Sequence, residues 1–246
     1  MIGHEIIHLE RVDSTSNYIA TLHKEGKVRH GMVILADEQT NGRGQRGAKW
    51  QSEAKQNLLF SFYVEYSHLP IEKQEAITHF VSLSIQQAIQ TLTIKSVIKW
   101  PNDILIDTKK IAGILIENQL RGTSIQSSII GIGINVLQTK FDNNISTSLA
   151  IEKPKTDLSI KHFLNVLLNC LTINFNRLNQ FEYTQLKSEY LESLWLLNTL
   201  SEFEDNQGCF QGLIRGTDDY GRLLIEDQGK IKTYNLKEVS FIARNG

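Results

Sequence analysis

The stretch IQSSIIGIGINVL, residues 125–137, decides the fold of this chain. Its even positions from 130 to 136 carry β-branched side chains, whereas Gly131 and Gly133 carry none. Alternate residues of a strand point to opposite faces, so we expect one face to enter a core and the other to be nearly bare. Glycine in a strand interior costs stability. Two glycines on one face therefore predict that something packs closely there, either a flat ligand or another backbone or helix.

Other strands are predicted on both sides of this stretch. Short runs rich in β-favouring residues are expected to form them at 6–12, 32–36, 57–65, 96–100, 104–107 and 111–119. The last three runs follow one another through short polar links, which favours antiparallel pairing. In the run 111–119, Gly113 leaves a notch on the face that it shares with Ile111 and Leu115.

Helices are predicted between and after these strands. Apolar residues recur at helical spacing in 72–92, 159–178 and 183–194. Asp13 or Ser14 is expected to cap a further helix that reaches about Lys24. The fold class is therefore α+β, with a mixed, largely antiparallel sheet and helices.

The pattern of the sequence changes after Leu197. Short strands are punctuated by glycines, and Asp219-Tyr220-Gly221 is typical of a hairpin turn. About fifty residues of this kind predict a small β-barrel. We therefore expect two domains, residues 1–196 and 197–246.

The composition limits the classes of function. The chain has 246 residues, with 26 Lys and Arg against 27 Asp and Glu, so the net charge of −1 offers no global field for nucleic acid or anionic membrane. The two cysteines, Cys170 and Cys209, have no partner at metal-ligand spacing and are typical of reduced thiols. There is no signal-peptide pattern and no apolar run of ~18 residues, the length of a membrane span. We expect a cytoplasmic protein.

The segment QTNGRGQRGAKW, residues 39–50, contains a literal G-x-G-x-x-G. A dinucleotide fingerprint must open a helix, but this segment leads through polar residues into a strand, so we reject that interpretation. Glycines make backbone ordering costly, and arginine forks bind carboxylate or phosphate. The segment thus predicts a loop that closes over an anionic ligand; a solvated basic loop is the alternative.

Two further segments carry polar groups at the ends of predicted elements. Lys99-Trp100-Pro101-Asn102-Asp103 follows a strand, and proline ends the ladder there. Lys99 can point into a site from that strand end, or it can be an ordinary surface lysine in a turn. The hydroxyls of Asp13-Ser14-Thr15-Ser16-Asn17-Tyr18 can cap a helix, bind a small polar ligand, or do both.

Together, and in this order, these segments resemble those of the biotin–protein ligase family over nearly the whole chain. The resemblance is carried by Asp13-Ser14-Thr15, Gln39, Gly42-Arg43-Gly44, Arg46-Gly47, Trp50, Lys99-Trp100-Pro101-Asn102-Asp103, Lys110, Ala112-Gly113 and Gly131-Ile132-Gly133-Ile134-Asn135. It implies the class II synthetase-like catalytic fold of biotin and lipoate ligases, followed by an SH3-like domain over 212–242. Larger members carry an N-terminal DNA-binding winged helix, and we expect this chain to lack it.

The resemblance also implies two binding sites. Biotin would be held by Ser14, Thr15, Gln39, Gly42, Arg43, Lys99, Gly113 and Gly131. The nucleotide would be held by Arg46, Trp50, Asn102, Lys110 and Asn135. Lys99 and Arg43 would be the catalytic residues, placed at the reacting carboxylate and phosphate. Apolar residues of the loop 137–149 would cover the adenine, with Phe141, Ile145 and Leu149 as candidates.

The reaction implied by the resemblance has two steps. The biotin carboxylate attacks the α-phosphate of ATP, with Mg²⁺, to give biotinoyl-adenylate and pyrophosphate. A lysine of a biotin carboxyl carrier protein or domain then attacks the acyl carbon, and AMP leaves. Cationic donors such as Lys99 and Arg43 would offset the negative charge of the transition state. We expect no DNA or membrane partner, the metal ligands are unassigned, and a homodimer is left open.

This sequence departs from the family pattern at three points. Ser16 stands where many members have asparagine, which comes here at Asn17. Gln45 stands where many have a second arginine, and Phe241-Ile242 where some have an arginine that reaches the nucleotide. Two other functions are weighed. A lipoate–protein ligase would use the same adenylate chemistry, and a non-catalytic nucleic-acid or peptide-binding module would use the Gly/Arg loop and the barrel, against which the net charge argues.

Overall fold

The computed structural model describes residues 1–242, apart from the side chain of Arg46. The strands are β1 Glu5–Val12, β2 Met32–Gln39, β3 Asn57–Glu65, β4 Val97–Lys99, β5 Asp103–Ile106, β6 Lys109–Arg121, β7 Ser124–Asn135, β8 Leu200–Asp205, β9 Gly208–Thr217, β10 Leu223–Asp227, β11 Lys230–Tyr234 and β12 Val239–Phe241. The helices are α1 Thr15–Lys24, α2 Glu75–Gln90, α3 Leu149–Glu152, α4 Ile160–Asn179 and α5 Tyr183–Glu192. Each strand and helix predicted from the sequence is present, with bounds shifted by a few residues.

The first seven strands form one sheet in the order β1-β2-β3-β7-β6-β5-β4. β1 and β2 are parallel, whereas the other neighbouring pairs are antiparallel. This confirms the expected mixed, largely antiparallel sheet. β7 lies at its centre between β3 and β6, which explains why its sequence is almost continuously apolar or small.

The two faces of the sheet are covered differently. The isoleucines at 130, 132 and 134 belong to the main core, together with apolar residues of α2 and α4. On the opposite face α1 packs through Ile19 into a smaller cluster with Ile34 and Ile129. The glycine face of β7 is therefore the face that α1 covers. No helix in residues 1–242 is long and apolar enough to cross a membrane.

The start of α1 corrects the predicted capping. Ser14 occupies the N-cap position, but its side chain makes no capping hydrogen bond and is buried. Asp13 instead accepts a hydrogen bond from the side chain of Asn17 at 2.6 Å. Ser14 is thus held at a helix start without being used to cap it.

The last five strands form an antiparallel sheet in the order β11-β10-β9-β8-β12. Phe203, Leu223 and Ile225 are buried in its interior. This sheet matches the expected small SH3-like unit. Because it begins at Leu200, we propose domains of 1–196 and 197–246, of which 243–246 lie outside the described residues.

Polar contacts tie the C-terminal sheet to the rest of the chain. The indole N–H of Trp100 donates to the carbonyl of Gly221 at 2.8 Å. The buried carboxylate of Glu75, on α2, accepts from the hydroxyl of Thr217 and lies 3.0 Å from Nε2 of His79. Trp100 and Glu75 therefore connect the first unit to the C-terminal sheet through hydrogen bonds.

Candidate functional site

A cavity of about 260 Å³ lies between the glycine face of the sheet and the start of α1. It combines hydroxyl and amide groups with an apolar wall. Its lining consists of Ser14, Thr15, Ser16, Gln39, Arg43, Gly44, Gln45, Ala48, Lys49, Trp50, Phe60, Asn102, Asp103, Lys110, Gly113, Ile114, Leu115, Gly131, Ile132 and Gly133. Segments that are far apart in sequence thus meet at one place.

Gly131 lets the start of α1 approach the sheet. A Cβ atom at this position would lie 2.6 Å from Oγ of Ser16 and 3.3 Å from Oγ of Ser61. Ser61 is the neighbour of Gly131 on β3, and its hydroxyl also bonds the hydroxyls of Thr15 and Ser16, at 2.7 and 2.9 Å. At Gly131 the sequence left two explanations open, and the geometry favours close packing of a helix.

Gly113 and Gly133 accommodate the indole of Trp50. A Cβ atom would lie 2.5 Å from Cε2 of Trp50 at Gly133, and 2.9 Å from Cζ3 at Gly113. The flat group predicted to lie against the bare strand face is therefore this tryptophan. Its buried Nε1 has no hydrogen-bond acceptor among the described residues, so a donor remains available to a ligand.

Hydroxyl and amide groups form the polar wall of the cavity. Oε1 of Gln39 accepts from the backbone N–H of Thr15 at 2.7 Å and from its hydroxyl at 3.1 Å. These bonds join the end of β2 to the start of α1. They fix the side-chain direction of Gln39 and leave its NH₂ end as the group that can donate.

The Gly/Arg segment folds as a hairpin over this cavity, and we call residues 40–50 the flap. The N–H of Trp50 donates to Gly42, and that of Gly44 donates to Ala48, at 3.0 and 2.7 Å. A Cβ atom at Gly42 would meet the carbonyl of Trp50 at 2.6 Å, so only glycine fits there. The flap leads to β3 rather than to a helix, which confirms the rejection of a dinucleotide fingerprint. Arg46 lies in its 3₁₀ turn, and its side chain is outside the described residues.

The guanidinium of Arg43 is engaged by protein groups at the cavity edge. It donates to both carboxylate oxygens of Glu117, at 2.5 and 3.1 Å, and to Oδ1 of Asn17 at 2.9 Å. Arg43 thus lines the cavity, as expected, but its charge is already paired with a carboxylate.

A second, larger cleft of about 860 Å³ adjoins the cavity. The cavity and the cleft have four lining residues in common, namely Gln39, Lys49, Trp50 and Lys110. Nζ of Lys110 lies 2.6 Å from Oδ1 of Asp103 and 5.5 Å from the centre of the Trp50 ring. The sequence placed Lys110 with the nucleotide; the structure puts it where the two spaces meet.

The loop after β7 forms the far wall of the cleft. Phe141 and Ile145 line it, whereas Leu149 is fully buried in the main core and is excluded as a cover for a ligand. Asn135 also lines the cleft, and its amide donates to the carbonyl of Thr147 at 2.9 Å. Asn102, expected with the nucleotide, lines the first cavity instead and donates to Ile114 at 2.6 Å.

Lys99 is not brought to either space, which corrects its expected placement. Its Nζ lies 5.2 Å from the ring centre of Trp195 and 5.0 Å from that of Phe241. β4 is the edge strand of the sheet, so a side chain at its end reaches residues near the C-terminal unit. Burial lowers the pKa of the Lys99 ammonium.

Sequence reasoning missed three residues of this site. Ser61 organises the hydroxyls, Glu117 holds Arg43, and Asp103 pairs with Lys110. Glu117 could have been found, because it shares the strand face of Gly113 and Leu115 at a spacing of two. The role of Ser61 depends on its register with Gly131, which the sequence does not supply.

The mixed sheet, with its adjoining cavity and cleft, has the catalytic fold of biotin protein ligases. The chain belongs to the biotin/lipoate A/B protein ligase family, whose model matches residues 8–135. The expectation of a ligase that resembles biotin–protein ligases is thereby confirmed.

Individual relatives cover nearly all of the chain. The bifunctional ligase/repressor BirA of Bacillus subtilis is 31% identical over 243 residues, 94% of this chain and 72% of the relative. The biotin–[acetyl-CoA-carboxylase] ligase of Mycobacterium tuberculosis is 25% identical, over 85% of this chain and 78% of the relative. The structure of an Aquifex aeolicus biotin protein ligase in complex with biotin and ATP superposes with a TM-score of 0.78, at 29% identity, covering 96% and 98% of the two chains.

We predict that Gly131→Val impairs folding as well as ligand binding. The added side chain would collide with Ser16, whose hydroxyl is fixed by Ser61. Overpacking of this kind typically costs about 1–3 kcal/mol of unfolding free energy. Chemical denaturation measures the loss. Unchanged stability together with weakened binding would show that Gly131 serves the ligand alone.

We also predict that Lys99→Met leaves the chemical step nearly unchanged. Methionine keeps the apolar stem between the two rings but removes the charge. Cation–π contacts contribute about 0.5–2 kcal/mol, and removal of a half-buried charge offsets part of this, so the unfolding free energy should shift by about 1 kcal/mol. Pyrophosphate release should stay within about threefold of the parent, or ~0.7 kcal/mol. A hundredfold loss of rate in folded protein would return Lys99 to the mechanism.

Proposed function

We propose that the chain activates biotin with ATP as biotinoyl-adenylate and transfers the biotinoyl group to a lysine of a partner protein. The observation that carries this proposal is the junction of the two spaces at Lys110 and Trp50. A reaction between a carboxylate and a phosphate needs two adjacent sites with a cation between them. The names and bound ligands of the relatives add support, since the structure of the Aquifex protein is a complex with biotin and ATP.

The smaller cavity suits the biotin ring system. A ureido group carries donors and an acceptor in one plane, and Ser14, Thr15 and Gln39 offer hydroxyl and amide groups at one wall. Leu115 and Phe60 supply apolar surface for the remainder of the molecule. Gly113 and Gly131 contribute by admitting Trp50 and Ser16, which complete the walls.

In this proposal Lys110 takes the catalytic role that the resemblance implied for Lys99. Carboxylate and phosphate repel each other, so a preorganised cation at their meeting point stabilises the charge of the transition state. Asp103 orients the Lys110 ammonium between the cavity and the cleft through their 2.6 Å contact. The backbone of Lys110 is also fixed, because its N–H donates to Ile145 and its carbonyl accepts from Thr147.

The larger cleft suits the nucleotide. Phe141 and Ile145 offer apolar surface for a base, and Lys49 and Lys140 add positive charge for phosphates. Asn135 lines the same wall, and Trp50 lies at the boundary with biotin. Arg46 is kept in the proposal as a phosphate ligand on the basis of the resemblance alone.

Magnesium fits this arrangement as a companion of the nucleotide. Mg²⁺ is usually held by one or two carboxylates together with substrate phosphates and waters. Asp103 is the one carboxylate that lines the smaller cavity within the described residues, and no cluster of three metal-binding side chains occurs there. Glu53 and Asp142 line the cleft proposed for the nucleotide, so one of these three carboxylates would be the protein ligand, and the ion would offset phosphate charge.

The acceptor in the second step is a lysine amine that attacks the acyl carbon and displaces AMP. We propose a biotin carboxyl carrier domain as its source, as the name of the Mycobacterium relative suggests. Cys170 and Cys209 are free thiols, consistent with a cytoplasmic setting. DNA binding forms no part of the proposal, and a homodimer is compatible with it.

The test of this function is release of pyrophosphate by the purified chain with ATP, Mg²⁺ and either biotin or lipoate. We expect release with biotin only, and a biotinylated product when a carrier domain is added. Release with lipoate only would assign the rival ligase activity. Salt-sensitive nucleic-acid binding without release would assign the non-catalytic alternative.

The variant Lys110→Met tests the chemistry of the junction. Removal of a preorganised donor typically lowers the rate by about 10²–10³-fold, and we expect that loss in biotinoyl-adenylate formation. Biotin binding, measured by calorimetry, should weaken far less, because Lys110 acts where charge develops. A parallel loss in binding and rate would instead assign Lys110 to ground-state binding.

A further inference from the structure

We infer that Glu117 and Asn17 are positioning residues that hold the flap over the biotin cavity through the Arg43 guanidinium. This inference rests on the proposed function for what the cavity retains. It assigns Arg43 to closure of the site rather than to the reacting carboxylate. Glu117 and Asn17 then determine how long biotin and biotinoyl-adenylate stay bound.

The contacts of Arg43 span the mouth of the cavity. Glu117 lies on β6 and Asn17 on α1, so one guanidinium joins the flap to the two elements that flank the opening. The contact with Glu117 is bidentate, the strongest geometry available to an arginine. Asn17 is itself fixed, because its NH₂ group donates to Asp13 at 2.6 Å.

The chemistry of these contacts leaves little of Arg43 for a ligand. Nη1 and Nη2 of Arg43 already bind three protein oxygens. A biotin carboxylate would have to displace a protein carboxylate of the same charge. Lys110 is better placed for that task, because it lines both spaces.

Solvent exposure sets the strength of the latch formed by Arg43, Glu117 and Asn17. The side chains of Arg43 and Glu117 are both 37% exposed, so water and salt screen the pair. A weak, salt-sensitive contact can break and re-form in each turnover, which a gate for substrate requires. Backbone hydrogen bonds such as the one between Trp50 and Gly42 hold the hairpin together, and the Trp50 indole packs on Gly113 and Gly133. The Arg43 contacts add polar bonds to β6 and α1 that can break while this packing stays in place.

The test compares Glu117→Gln with Glu226→Gln. Glu226 pairs with Arg215 in the C-terminal unit at 2.8 Å, with side chains 30% and 37% exposed respectively, and so provides a matched ion pair away from the flap. Trypsin cleaves after an arginine or a lysine, and it can do so in the flap only when that side chain is free and the flap backbone has moved away from the protein. We expect cleavage within 43–49 to be about three- to fivefold faster in Glu117→Gln than in the parent or Glu226→Gln, without any ligand present.

The second readout is the rate at which bound biotin, and biotinoyl-adenylate formed in a single turnover, leave the protein. Glu117→Gln should release both about three- to fivefold faster, with the difference shrinking at high salt. Reversal of the pair, Arg43→Glu with Glu117→Arg, should restore retention to within about twofold, or ~0.4 kcal/mol. Release from Glu226→Gln should match the parent.

The outcomes separate this inference from the proposed function. Equal tryptic cleavage in the three proteins, or faster cleavage with unchanged release, would overturn the latch. Tighter biotin binding in Glu117→Gln, or further weakening in the reversed pair, would show that Arg43 binds the carboxylate directly. If biotin is not turned over at all but cleavage still accelerates, the proposed function fails while Glu117 is still shown to hold the flap.

Discussion

The pairing of β6 with β7 is the constraint on which the rest of the site depends. Its register places Gly113 opposite Gly133, and Leu115 opposite Gly131. A sheet normally presents side chains over its whole surface, but this stretch is nearly flat. Trp50 and the start of α1 can therefore lie directly against the backbone. Slippage by one residue would put isoleucines under them and close the cavity.

Because the glycine face of the sheet is flat, residues from distant segments of the chain can meet around the Lys110 ammonium. Trp50 extends from the flap, packs on Gly113 and Gly133, and lines both the cavity and the cleft. Nζ of Lys110 lies 5.5 Å from the centre of the Trp50 ring. The position of the lysine is fixed by Asp103 and by backbone hydrogen bonds to the loop after β7. A cation held in this way needs little reorganisation as charge develops, which is the physical basis of the catalytic role that we propose for Lys110.

The sequence predicted the elements well because each has a clear period. Alternation identified β7 and its bare face, and helical spacing identified the helices that cover the core. It could not choose between Lys99 and Lys110, since both stand at strand ends beside chemically plausible partners. That choice depends on strand order, which puts β4 at the edge and β6 next to β7. The roles of Ser61 and Glu117 likewise arise from register and contact across segments.

The flap illustrates a balance between order and release. Its hairpin is well defined by backbone hydrogen bonds, yet Gly42, Gly44 and Gly47 lower the barrier to rearrangement. An exposed ion pair contributes only about 0.2–1 kcal/mol, so the closed form is favoured by a small factor. A strongly buried pair would hold an activated intermediate securely but would also slow the entry of substrate. The partial exposure of Arg43 and Glu117 therefore suits an enzyme that must both shield an acyl-adenylate and present it to another protein.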